Sequence, residues 1–291
     1  MTLSTQRGVR AIAYAQEFPM GPFRVKQPLP SREIRDASPF ILLHHAGPHV
    51  VDPAHPMERL GPHPHRGFEP VTFLFHGQAR HRDSMGNHGT LNAGDVQWMT
   101  AGSGVLHSEG PTDEFLARGG DLELIQLWVN LPAKHKMTTP KYQDIASSTI
   151  PVHIVYGSGT PLSLNVVAGL YGGDRGPAET FSPILAMTST FEAGVDVKIE
   201  LPFATSLIYV LHGKVELNDD HVIDERYMVL LDEGLAPFRL RTSAPGSMII
   251  LSGEPLNEPV AMQGPFVMNT EEEVRAAFRD FAGGKMGTLE E

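Results

Sequence analysis

Between Glu69 and Gly77 the chain alternates with a period of two. Val71, Phe73 and Phe75 fall on one side, Thr72 and Leu74 on the other, and Gly77 ends the run. That pattern suits a pleated strand with one face buried and fits no helix. Comparable short apolar runs follow at 78–82, 89–91, 96–100 and 123–129. More come at 152–156, 162–168, 187–191, 195–201, 206–211, 228–231 and 247–251. The sequence carries 29 glycines and 24 prolines among 291 residues, above average usage and without low-complexity repeats, so the excess reads as turns. Ser84-Met85-Gly86-Asn87 is such a turn, a hairpin signal. The expected class is all-β, sandwich or barrel. One helix is expected near the end, where Thr270 precedes Glu271, Glu272 and Glu273: an N-cap and an acidic first turn.

A weak internal repeat divides the chain. Phe73-Leu74-Phe75-His76-Gly77-Gln78-Ala79 resembles Tyr209-Val210-Leu211-His212-Gly213-Lys214-Val215. Two β-domains from a duplicated unit are expected, 1–132 and 133–291, the second including the helix. Residues before about 37 read as an extended arm or edge strands.

Within the first half, potential metal ligands pair two residues apart at both ends of one stretch. His63 and His65 open it; His107 and Glu109 close it. On strands, each pair turns to one face, and two facing strands would gather three imidazoles and a carboxylate. Such a mixed N/O set suits a divalent first-row ion and leaves the choice among iron, manganese, nickel, cobalt, copper and zinc open. Carrying the repeat offset forward puts Ile199 and Leu201 at the places of His63 and His65, and Leu251 near that of His107. Only the first half is therefore expected to bind metal. His44, His45, His49 and His55 read as loop histidines, His81 between Arg80 and Arg82 as a solvated strand edge, and Gln126 with Trp128 as core packing or an interface. Glu69 reads as a structural hydrogen bond or salt bridge, with an acceptor role toward a ligating imidazole, or proton transfer, as the sharper readings.

The formal net charge of -11 argues against a direct nucleic-acid surface. There is no cysteine, which removes thiolate ligands and cysteine nucleophiles. Met1–Arg7 shows no secretory pattern and no apolar run approaches the length of a membrane span, so a cytoplasmic protein is expected.

The strings HPHRGFE, GDVQWMTAG and HSE, with the C-terminal stretch from Gly253 through Thr270, resemble the pirin family of the cupin superfamily. The resemblance spans about residues 40 to 281. It implies two stacked cupin barrels (double-stranded β-helices) with metal, Fe2+ foremost, in the N-terminal one only. By motif position it implies His63, His65, His107 and Glu109 as ligands, with Glu69 not ligating. Pro70, His76, Ser103 and Gly110 depart from the usual pattern at positions that touch no ligand and would shape the pocket mouth. For activity it implies quercetin 2,3-dioxygenase chemistry: O2 opens the central ring of a flavonol and carbon monoxide leaves, with Glu109 accepting the 3-hydroxyl proton. The alternative it carries is a non-enzymatic iron-binding regulator that engages a protein partner according to the metal's oxidation state.

Overall fold

The computed structural model describes residues 6–55 and 57–290. The first five residues, read above for a targeting segment, lie outside it. The all-β expectation is met: strands dominate, and the described residues hold two α-helices, α1 (Asp113–Arg118) and α2 (Glu271–Ala282). Neither is long and apolar enough to cross a membrane.

Chain contacts group into two compact units: 1–16, 26–39 and 148–255 in one, and 17–25, 40–147 and 256–291 in the other. The division expected at residue 132 follows the sequence repeat, whereas the compact units interleave along the chain. The cause is strand addition. Val9–Tyr14 pairs antiparallel with Tyr227–Leu231, with Ala13 opposite Met228. Arg7 fastens this arm: its Nε donates to the Asp232 carbonyl at 2.6 Å and a terminal nitrogen to the Ala204 carbonyl at 2.6 Å.

The unit holding 148–255 has a seven-stranded sheet with Tyr227–Leu231, Thr205–His212, Gly246–Gly253 and Ile184–Phe191 as consecutive neighbours. Its four-stranded sheet runs Asp196–Ile199, Phe238–Thr242, Lys214–Leu217, His221–Asp224. In Asp196–Ile199, Val197 and Ile199 are buried while Lys198 is exposed, the alternation that a one-sided core demands. Val197, Ile199, Ile208, Val210, Leu240 and Ile250 join one apolar cluster, whose larger members would each lose about 2–5 kcal/mol on truncation to alanine.

The other unit repeats this plan. Its seven-stranded sheet sets Lys141–Ile145, Val96–Thr100, Phe68–His76, Gly120–Asn130 and Phe40–Val51 side by side. Its four-stranded sheet runs Leu60–His65, Val105–Pro111, Gln78–Asp83, His88–Asn92. The strand orders correspond one for one, as a duplicated unit requires. They also correct the offset drawn from the sequence. Leu60–His65 pairs with Val105–Pro111, so its counterpart is Asp196–Ile199, which pairs with Phe238–Thr242. Val105 faces His65 and Phe238 faces Ile199; one step on, His107 faces His63 and Leu240 faces Val197. Val197, Ile199 and Leu240, all buried, thus take the three histidine places: the link between the first two strands of the repeat is longer in the second copy, and Leu251, expected at the place of His107, lies on the strand that matches Gly120–Asn130. The absence of ligands there is unchanged.

The 84–87 turn forms as expected. Asp83 Oδ1 accepts from the backbone N–H groups of Met85 and Asn87, both at 2.9 Å. Helix α2 begins with a full capping box between Thr270 and Glu273. His44, His45 and His49 lie on the strand Phe40–Val51 rather than in a loop. His45 is wholly buried, its Nε2 2.8 Å from Glu123 Oε1.

Between the strands ending at His65 and beginning at Phe68, Gly67 adopts φ +87°, and a Cβ there would sit 1.9 Å from the Val267 carbonyl oxygen. The turn therefore admits only glycine at this backbone position. Gly67→Ala should destabilise the protein by about 3 kcal/mol. The check is a lower urea midpoint with unchanged m-value; an unmoved midpoint would show that the turn relaxes freely.

Candidate metal centre

The register of two antiparallel strands builds the site. His107 lies directly opposite His63, and Val105 opposite His65, so the three imidazoles emerge on one face. Their ring centroids are 4.2 Å (His63–His107), 4.7 Å (His65–His107) and 4.9 Å (His63–His65) apart. One nitrogen from each lies within 4.8 Å of the others. His65 and His107 are buried; none of their four ring nitrogens makes a well-formed hydrogen bond, although the Pro265 carbonyl approaches His65. His63 is half-buried, and its Nδ1 stands 2.9 Å from the Gly61 carbonyl, which assigns the proton to Nδ1 and leaves Nε2 as a lone-pair donor.

Burial, followed by the neighbouring His63, holds His65 and His107 well below the ordinary imidazole pKa. Both are therefore neutral at pH 7, the state in which imidazole binds a metal. Nitrogens buried together without well-formed hydrogen bonds are costly unless something completes them, and the donor set fits a divalent ion. Glu109 is not drawn into the trio. A bulge interrupts its register with Leu60–His65, and its Oε1 accepts from Gln126 Nε2 at 2.6 Å. Trp128 Nε1 in turn donates to Gln126 Oε1 at 3.2 Å. Gln126 is thus a site residue, where the sequence suggested core packing or an interface.

Glu69 takes the structural role. It is buried and accepts from Thr100 Oγ1 at 2.8 Å, while the imidazole acceptor that is present is the Gly61 carbonyl. His81 departs from expectation as well. It is 1% exposed, with its ring 5.3 Å from that of His107 and 4.7 Å from that of Tyr142. Flanking arginines suggested a solvated edge, but period-2 alternation turns His81 inward and leaves Arg80 and Arg82 partly exposed on the opposite face.

Glu109, Gln126, His81 and Gly110 line a cavity whose other walls include Phe23, Val25, Leu60, Leu91 and Leu124. Gly110, one of the departures from the family pattern, therefore does shape the pocket.

The histidine-bearing strands are held from behind by residues that sequence reading passed over. Arg66 Nε donates to the Ser103 carbonyl at 2.7 Å, and its guanidinium pairs with Asp280 of α2 at 2.9 Å. The Lys136 ammonium donates to Asn130 Oδ1 at 2.6 Å and to the Gly67 and Val267 carbonyls at 2.8 and 2.9 Å. These three acceptors match its three donors and fix the turn that follows His65.

Burial pushes the Glu69 carboxyl up from 4.5 to about 7, against smaller opposing hydrogen bonds. Between those values the folded state holds a proton that the unfolded state has released, so stability falls as pH rises from about 4.5 to 7. The loss amounts to at most about 3 kcal/mol. Glu69→Gln should remove this fall, measured by urea unfolding across pH 4.5–8 with a chelator present; parallel profiles for the two proteins would refute the assignment.

Two family models match the chain, Pirin over residues 22–129 and Pirin C-terminal cupin domain over residues 186–287. A Pseudomonas aeruginosa protein, provisionally named a quercetin 2,3-dioxygenase, is 42% identical over 250 residues, covering 85% of this chain and 86% of that protein. Human pirin is 38% identical over 232 residues, 77% of each chain. Among solved structures, quercetin 2,3-dioxygenase from Acinetobacter baumannii superposes with a TM-score of 0.91 at 39% identity, covering 98% of this chain and 100% of that one. The correspondence spans both units, and the chain belongs to the pirin family, with two cupin domains in one polypeptide.

Proposed function

We propose that the chain is a metal-dependent dioxygenase that opens the central ring of a flavonol with O2 and releases carbon monoxide. One observation carries this reading: the neutral, buried imidazole of His107 stands against His81, which together with the Glu109 carboxylate lines a largely apolar cavity. His63, His65 and His107 would hold the ion, and Glu109 would complete the set by turning its free oxygen toward them. Fe2+ suits such a mixed N/O set, as do other divalent first-row ions. A bound ion of this kind supplies Lewis acidity and one-electron redox chemistry.

The remaining work belongs to the protein. Apolar walls at Phe23, Val25, Leu91 and Leu124 take the faces of a planar aromatic ligand and keep water out. Gln126, itself held by Trp128, fixes Glu109 Oε1. With Oε2 turned toward the histidines, the second lone pair of Oε1 is left to accept the flavonol 3-hydroxyl proton as a positioned base. That ionisation raises electron density on the ring that O2 must attack. The relatives named for quercetin 2,3-dioxygenase support the same substrate class.

Iron-loaded protein incubated with quercetin under air should bleach the flavonol absorbance and release carbon monoxide. Glu109→Gln should lower kcat about 100-fold or more. No turnover by protein whose metal site is occupied would sink the reading. Flavonol binding without turnover would favour a regulator switched by the ion's oxidation state.

A further inference from the structure

We propose that His81 positions the substrate: it hydrogen-bonds one oxygen of an aromatic ligand that carries oxygens on adjacent ring atoms, while Glu109 takes the other. The scaffold named for that ligand rests on the flavonol reading above; the role of His81 does not.

His81 is 1% exposed and lines the cavity, yet neither ring nitrogen makes a well-formed hydrogen bond. The nearest carboxylate oxygen, Asp83 Oδ2, stands 3.7 Å from Nε2, close enough for His81 to help hold that carboxyl below its ordinary pKa but too long for a well-formed hydrogen bond. Asp83 is committed elsewhere, accepting from Met85 and Asn87 in the hairpin turn. The Tyr142 hydroxyl, on the ring beside His81, is taken by the Gln97 amide. A buried imidazole that has given up water for one long contact at Nε2 is incompletely satisfied, and its open side is the cavity.

The strand register supplies the second half of the argument. His81 lies directly opposite Glu109 in the pairing of Gln78–Asp83 with Val105–Pro111. Directly opposed residues share one face of a sheet. An imidazole and a carboxylate therefore stand side by side at the polar end of a cavity whose remaining walls are largely apolar. A ligand with a single hydroxyl satisfies one of the two. A ligand with a hydroxyl and a neighbouring carbonyl or hydroxyl satisfies both, the hydroxyl donating to Glu109 and the second oxygen accepting from His81. The 3-hydroxy-4-keto edge of a flavonol has this pattern, and so does catechol.

The test uses metal-loaded wild type, His81→Leu and His81→Gln, each titrated under nitrogen with quercetin, catechol and phenol. Replacing an incompletely satisfied buried imidazole by an apolar side chain of similar size should leave the fold intact, and His81→Gln retains hydrogen-bonding capacity. His81→Leu should weaken quercetin and catechol binding about 10- to 100-fold while phenol changes by about twofold or less. His81→Gln should restore the preference for catechol over phenol, and metal content should match wild type in both variants. A catechol preference that survives in His81→Leu overturns the proposal. So does its absence from wild type, or metal loss in His81→Leu, which would make His81 a ligand. If wild type binds catechol but not quercetin and the preference depends on His81, the flavonol reading falls and this one stands.

Discussion

The centre depends on one alignment, the antiparallel register that sets His107 opposite His63. A strand turns successive side chains to opposite faces, so a slip of one residue would send His107 to the outside and dissolve the trio. The protein guards this register at several points. Gly67 permits the tight reversal after His65, Lys136 binds the carbonyls on either side of that reversal, and Arg66 ties it to Ser103 and Asp280. Ser84 Oγ accepts from the Leu106 N–H at 3.1 Å and donates to the Met286 carbonyl at 2.7 Å, so residues near the C-terminus also brace the strand that carries His107. The C-terminal segment of this unit is thus part of the scaffold of the site.

The duplicated unit shows what the same topology does without the histidines. Val197, Ile199 and Leu240 occupy the matching register positions, and apolar packing fills the interior around them. Transferring neutral imidazoles from water into such an interior is unfavourable unless each nitrogen finds a partner. One copy removes the difficulty by using hydrocarbon. The other keeps it: His65 and His81 each pack against His107, and none of their ring nitrogens makes a well-formed hydrogen bond. Stability alone favours the first arrangement, so the second is an argument for a binding role of the kind proposed above.

Much of this was legible in the sequence, because the signals involved are local. Period-2 alternation located the strands, Ser84 to Asn87 the hairpin, Thr270 with Glu273 the helix start, and the paired histidines the cluster of three imidazoles. Features that depend on contacts between distant segments were not legible. His81 between two arginines looks solvated until the strand is known to have a buried face. Gln126 and Glu109 are 17 residues apart and meet only in three dimensions. Lys136, in a polar connector, gave no sign that three acceptors would surround it. The arm at Val9–Tyr14 could be read as an edge strand, but its partner at Tyr227–Leu231 could not, since an edge accepts any strand of suitable length.

The central claim is that this cluster of buried imidazoles exists to hold a metal ion. X-ray absorption spectroscopy of the iron-loaded protein tests it most directly. The account predicts an iron environment of three imidazole nitrogens with oxygen ligands, including one carboxylate, and no sulfur. An environment with one imidazole or none would contradict it, and would mean that the three histidines serve some other purpose.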